Sequence, residues 1–161
     1  LRQEVLSPAD FYQAVRSSTR LRAEYPHIRI ATDYDILLPV GKFPCQPRER
    51  GSCPAGRSFV NINYDGYVYP CAFLVTPGRE FAAGHIQAAP LLTLWRTAPV
   101  FGPFRQLEKD GQCRACPVYA SACVGGCVAM SYFAAGSIEA HDPTCFIEQV
   151  SLDELRQMEG R

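Results

Sequence analysis

No apolar run in this sequence approaches the length of a membrane span, and its first residues carry no signal-peptide pattern. A membrane is therefore not an expected partner, and a cytoplasmic location is expected. Neither sign of charge is in excess, with 16 Lys and Arg against 16 Asp and Glu. Without a basic stripe, nucleic acid is not an expected partner; without an acidic tail, neither is a disordered solvating segment. Internal repeats and low-complexity tracts are lacking. Histidine is scarce, and His27, His85 and His141 are poor ligand candidates beside the thiols described next. The single tryptophan, Trp95, reads as core. Only one C-x2-C pair occurs, whereas zinc domains of this size usually show paired knuckles.

Cysteine is what the chain does have: Cys45, Cys53, Cys71, Cys113, Cys116, Cys123, Cys127 and Cys145. Four of them fall in the stretch CRACPVYASACVGGC, residues 113–127. Gly125 and Gly126 lie between Cys123 and Cys127, and the missing Cβ atoms let the backbone approach a bulky inorganic core and aim N–H groups at its sulfurs. Eight thiols in two sets of four suggest two metal centres. Disulfides are one alternative, but no secretory signal supports them. Two four-thiolate zinc sites are another. The wide, irregular spacings of 7, 17, 41, 6, 3 and 17 residues around the one C-x2-C suit buried clusters supplied with N–H donors.

The rest of the chain reads as short elements between loops. Ser7-Pro8-Ala9-Asp10 is a helix start, with Ser as N-cap and Pro at N1, and the apolar face of Phe11, Ala14, Val15 and Leu21 runs to about Tyr25. Residues 27–31 are a strand candidate, with Ile28 and Ile30 on one face. Residues 39–56 are loop. Phe59–Tyr64 and Tyr67–Tyr69 make a hairpin about the two-residue turn Asp65-Gly66, delivering Cys71 from a rigid support. Residues 72–88 read as irregular. Helices are expected from Pro90 through Trp95, over residues 101–109 and over residues 128–135, the last ended by Gly136. His141-Asp142-Pro143 is a turn leading to Cys145, and residues 146–159 are a helix candidate.

The order Cys53-x12-Gly66-x4-Cys71, then Cys113-x2-Cys116-x6-Cys123-x3-Cys127, then Cys145 resembles the SPASM domain, the C-terminal extension of many radical SAM enzymes. The flanking segments CPAG, DGYVYPC, LLTLW, CVGGC and HDPTC agree, and the resemblance covers residues 41–147. One spacing departs from the family: six residues, not five, precede Cys123.

The resemblance implies an α+β, loop-rich fold, a β-hairpin plus short helices organised around two 4Fe–4S clusters. Carried over by position, Cys45, Cys53, Cys71 and Cys127 would hold the first cluster, and Cys113, Cys116, Cys123 and Cys145 the second. Cys45 lies outside the seven-cysteine signature and is alternatively a buried thiol. Residues 1–40 would be a helix–strand remnant of a partial TIM barrel, 41–147 the auxiliary-cluster domain and 148–161 a C-terminal helix. The implied whole is a radical SAM enzyme acting on a peptide or peptide-derived substrate, fed by a reductant such as flavodoxin or ferredoxin. S-adenosylmethionine and a third 4Fe–4S cluster would belong to an N-terminal barrel, because the C-x3-C-x2-C motif that binds them does not occur here. Residue 1 is Leu, and the natural protein is expected to continue N-terminally into a barrel of about 200 residues, a typical domain size. Ala72 stands where sulfatase-maturating members place an acidic base, which weighs against that activity. A zinc-binding interaction module and a stand-alone ferredoxin-like electron carrier are the alternatives.

Overall fold

The structure is a computed structural model that describes residues 5–30, 53–116, 119, 123, 125–150 and 153. It divides into two compact units, residues 53–109 and a unit formed by residues 1–52 with 110–161. Cys45, Ala31 and most of the expected 39–56 loop lie outside the described residues, as does nearly all of the helix expected beyond Val150.

In the unit that joins the two ends of the chain, helix α1 spans Pro8–Glu24. It starts where the sequence places it: Ser7 Oγ accepts the Asp10 N–H at 3.1 Å, and Pro8 occupies the first turn, where its missing N–H costs nothing. Phe11 and Tyr12 are buried against Phe146 and Val150, with ring centroids 5.6 and 5.4 Å from that of Phe146. The strand expected at 27–31 does not form over its described residues. The Ile28 N–H turns back to Tyr25 O at 3.0 Å, and Arg22 Nε donates to Ile30 O at 2.9 Å, so the chain folds onto the end of α1 rather than extending. Ile28 is left exposed. Farther on, a 3₁₀ turn at Ile147–Gln149 occupies the start of the expected C-terminal helix.

The unit of residues 53–109 is built on an antiparallel sheet of three strands, β1 (Asn61–Ile62), β2 (Tyr67–Tyr69) and β3 (Gly84–His85), in that order. Asn61 pairs with Tyr69 and Ile62 with Val68. The Asn63 N–H donates to Tyr67 O at 2.9 Å, so the loop has three residues, Tyr64, Asp65 and Gly66, not the expected two. Gly66 sits at φ +82°, the left-handed residue that such loops require. Strand β3 arises within a stretch read as irregular, because Gly84 and His85 supply no alternation; its pairing of Tyr67 with His85 defines it instead. Arg79, at φ +57°, stacks 3.8 Å over the Tyr67 ring and pairs with Asp65 at 3.4 Å.

Helices α2 (Leu91–Thr97) and α3 (Phe101–Arg105) follow, the latter ending four residues short of expectation. Val68, Leu94 and Phe101 form the core here, with Trp95 packed against it as expected. Arg105 lies over the Trp95 ring at 4.7 Å and donates to Gly56 O and Trp95 O, which ties α3 to the segment after Cys53. No helix among the described residues is long and apolar enough to cross a membrane.

Candidate metal centre

Four expected ligands meet in one place. Cys113, Cys116, Cys123 and Cys145 line a single cavity of about 60 Å³, together with Phe11, Phe146 and Tyr119. The four thiols arrive on three local devices. Helix α4 (Gly111–Ala115), which sequence reading missed, carries Cys113. Its last turn closes with the Cys116 N–H on Cys113 O at 3.0 Å, so a C-x2-C pair presents both sulfurs from one helical turn. Cys123 precedes two consecutive left-handed glycines, Gly125 at φ +83° and Gly126 at φ +79°. That backbone turns N–H groups inward, and the Gly125 N–H donates to Cys123 Sγ at 3.3 Å. Cys145 sits on a turn closed by its own N–H to Asp142 O at 3.0 Å.

Cys127 belongs to the same unit as that cavity but is not among its lining residues; it caps helix α5 (Val128–Ala135). Cys53 and Cys71 belong to the other unit, where the segments that carry them are stitched together. Gly56, three residues past Cys53, donates its N–H to Pro70 O at 3.1 Å, immediately before Cys71. Among the described residues no cysteine is in a disulfide. Nor do three His, Cys, Asp or Glu side chains there converge tightly enough to hold a single metal ion; the four thiols ring a space instead.

Burial pushes the Cys123 and Cys145 thiols up from their ordinary value. Backbone N–H groups oppose this, from Gly125 and Gly126 at Cys123 and from Ile147 at Cys145. The protein thus disfavours bare thiolates while directing N–H donors at the sulfurs. A bound cationic core would replace the protons, and the same donors would then serve its thiolates. An apolar cavity, four soft sulfur donors and N–H groups aimed at them fit an iron–sulfur cluster.

Asp142 is the site residue that sequence reading passed over as part of a turn. It is 3% exposed, and its carboxylate accepts the Cys127 N–H at 2.7 Å, the Thr144 N–H at 2.8 Å and the Thr144 hydroxyl at 2.6 Å. The Asp-Pro-Thr order was the available signal, since Asp side chains bond backbone two residues on.

Residues 53–117 match the SPASM family, an iron-sulfur cluster-binding domain. Those residues are therefore similar to that family. The chain is 34% identical over 94 residues to mycofactocin maturase MftC of Mycobacterium ulcerans, a stretch covering 58% of this chain and 25% of that protein. The MftC of Mycobacterium tuberculosis is 32% identical over 94 residues, 58% of this chain and 23% of that protein. PqqA peptide cyclase of Rhodopseudomonas palustris is 33% identical over 92 residues, 56% of this chain and 24% of that protein. The match thus spans about a quarter of the length of these relatives.

Proposed function

We propose that this chain is the auxiliary-cluster domain of a radical SAM enzyme that modifies a peptide or peptide-derived substrate. In this reading Cys113, Cys116, Cys123 and Cys145 hold one 4Fe–4S cluster, and Cys45, Cys53, Cys71 and Cys127 hold the other. The observation that most supports it is the single cavity shared by all four members of the first set. The SPASM match and the likeness to a maturase and a peptide cyclase support the substrate class. Residues 41–147 are taken as the cluster domain, preceded by the end of a partial barrel.

Such clusters, when bound, supply one-electron transfer. The chain's own residues do the rest. Phe11, Phe146 and Tyr119 wall the cavity with aromatic surface and limit water around the sulfurs. The Gly125 and Gly126 N–H groups stabilise negative charge on Cys123, and the Ile147 N–H does so on Cys145. Electrons would come from an external reductant such as flavodoxin or ferredoxin and pass to or from the substrate radical or a catalytic cluster in the barrel.

Cluster content tests this directly. Anaerobically purified protein should be brown and carry about eight iron and about eight sulfide per chain. Colourless protein with about two zinc ions per chain would instead establish the zinc-binding module.

A further inference from the structure

Asp142 carries more charge than its structural task requires. It joins two segments that hold ligands: its main chain closes the Cys145 turn, and its side chain caps the Cys127 N–H just past the paired glycines. The approach is close enough that a Cβ on Gly126 would lie 2.2 Å from Asp142 Cβ. An uncharged acceptor such as asparagine could close the same turn and cap the same N–H. A buried carboxylate is costly unless compensated, and here two N–H groups and one hydroxyl contribute compensation. The cavity it lines already gathers four thiols.

We propose that Asp142 is a positioning residue and a fixed negative charge that holds the Cys145 turn in register with the Cys123–Cys127 loop and lowers the reduction potential of the cluster in that cavity. The inference rests on the cluster assignment of Cys113, Cys116, Cys123 and Cys145. The physical basis is simple. Adding an electron next to a buried negative charge costs energy, and little water intervenes to screen it. The same carboxylate lines the cavity that holds the Cys123 and Cys145 thiols, so its field acts at short range. Thr144 moderates that field, because its hydroxyl and N–H both point at Oδ1.

The two residues therefore act with opposite sign. The full chain, reconstituted anaerobically with iron and sulfide, is titrated potentiometrically under EPR, with iron and sulfide counted for each variant. Asp142→Asn keeps an acceptor and removes the charge, and should shift a cluster midpoint to more positive potential at unchanged iron content. Thr144→Val removes one hydrogen bond and leaves the carboxylate less neutralised, so a midpoint should move to more negative potential. If Asp142→Asn loses its cluster, Thr144→Val decides alone. Unchanged midpoints in variants that hold wild-type iron overturn the inference and leave the cluster reading intact, as does an upward shift in Thr144→Val. A wild-type chain that binds no iron–sulfur cluster overturns both.

Discussion

Cys123 shows how little of a cluster site resides in the thiol itself. The residue is half-buried, and burial alone favours the neutral thiol. What opposes this is the backbone of Gly125 and Gly126, two successive left-handed glycines that place N–H groups toward the sulfur. Gly126 is under a second constraint, the approach of Asp142. The two constraints can be separated experimentally. Gly136, at φ +76°, has nothing within 4 Å of a built Cβ, so Gly136→Ala carries only the backbone penalty of about 1–2 kcal/mol. Gly126→Ala carries that penalty and a clash with the relatively immobile Cβ of Asp142, which would lie only 2.2 Å from the new Cβ. Thermal unfolding of the loaded protein should show Gly126→Ala well below Gly136→Ala, and only the former should lose iron. Equal midpoints with iron retained would mean that the Asp142 approach has no consequence for the site.

At the scale of elements, legibility followed how local the determining signal was. Helix α1 was readable because its start is written in adjacent residues, Ser7-Pro8 and Asp10, and its face in the spacing of Phe11 and Val15. Helix α5 was readable from its apolar run and Gly136. Strand β3 was not, because a two-residue strand containing glycine exists only through its partner β2. Helix α4 was hidden for a related reason: five residues of Gly, Gln, Cys, Arg and Ala have no periodicity to display. The strand expected at 27–31 failed over its described residues because a hydrogen bond from Arg22, eight positions earlier, captured the Ile30 carbonyl. The site followed the same division. The thiols and glycines were visible as residue types, whereas Asp142 acts through a contact with Cys127, 15 positions away. Helix α1 also reaches the site, since Phe11 both packs on Phe146 and lines the thiol cavity. Phe11→Ala should cost about 3–5 kcal/mol and open the cavity to solvent. Bleaching of the visible absorbance in air should therefore be faster than in Leu21→Ala, which alters a half-exposed position on the same helix. Equal bleaching rates would show that α1 does not shield the site.

For the whole molecule, the chemistry expected of this chain is set by which cysteine pattern it holds. Its eight cysteines include one C-x2-C, and Cys123-x3-Cys127 is followed next by Cys145, with 17 residues between. No C-x3-C-x2-C set arises from that order. A cluster that cleaves S-adenosylmethionine must leave one iron open to the substrate, so three thiolates for four irons is a chemical requirement of that step. The set lining the cavity has four thiols, enough to close every iron. The reconstituted chain under strong reductant should therefore form no 5′-deoxyadenosine from S-adenosylmethionine, although its clusters take up electrons. Replacing one ligand sharpens the test. Cys116→Ala would vacate one coordination position in the cavity, and EPR of that variant should report a changed cluster. Nucleoside should still be absent, because an open iron alone does not orient the sulfonium for cleavage. Turnover by the unmodified chain would overturn the assignment of these clusters as auxiliary. Turnover by Cys116→Ala alone would show that the number of thiolates is what keeps the unmodified chain from the cleavage chemistry.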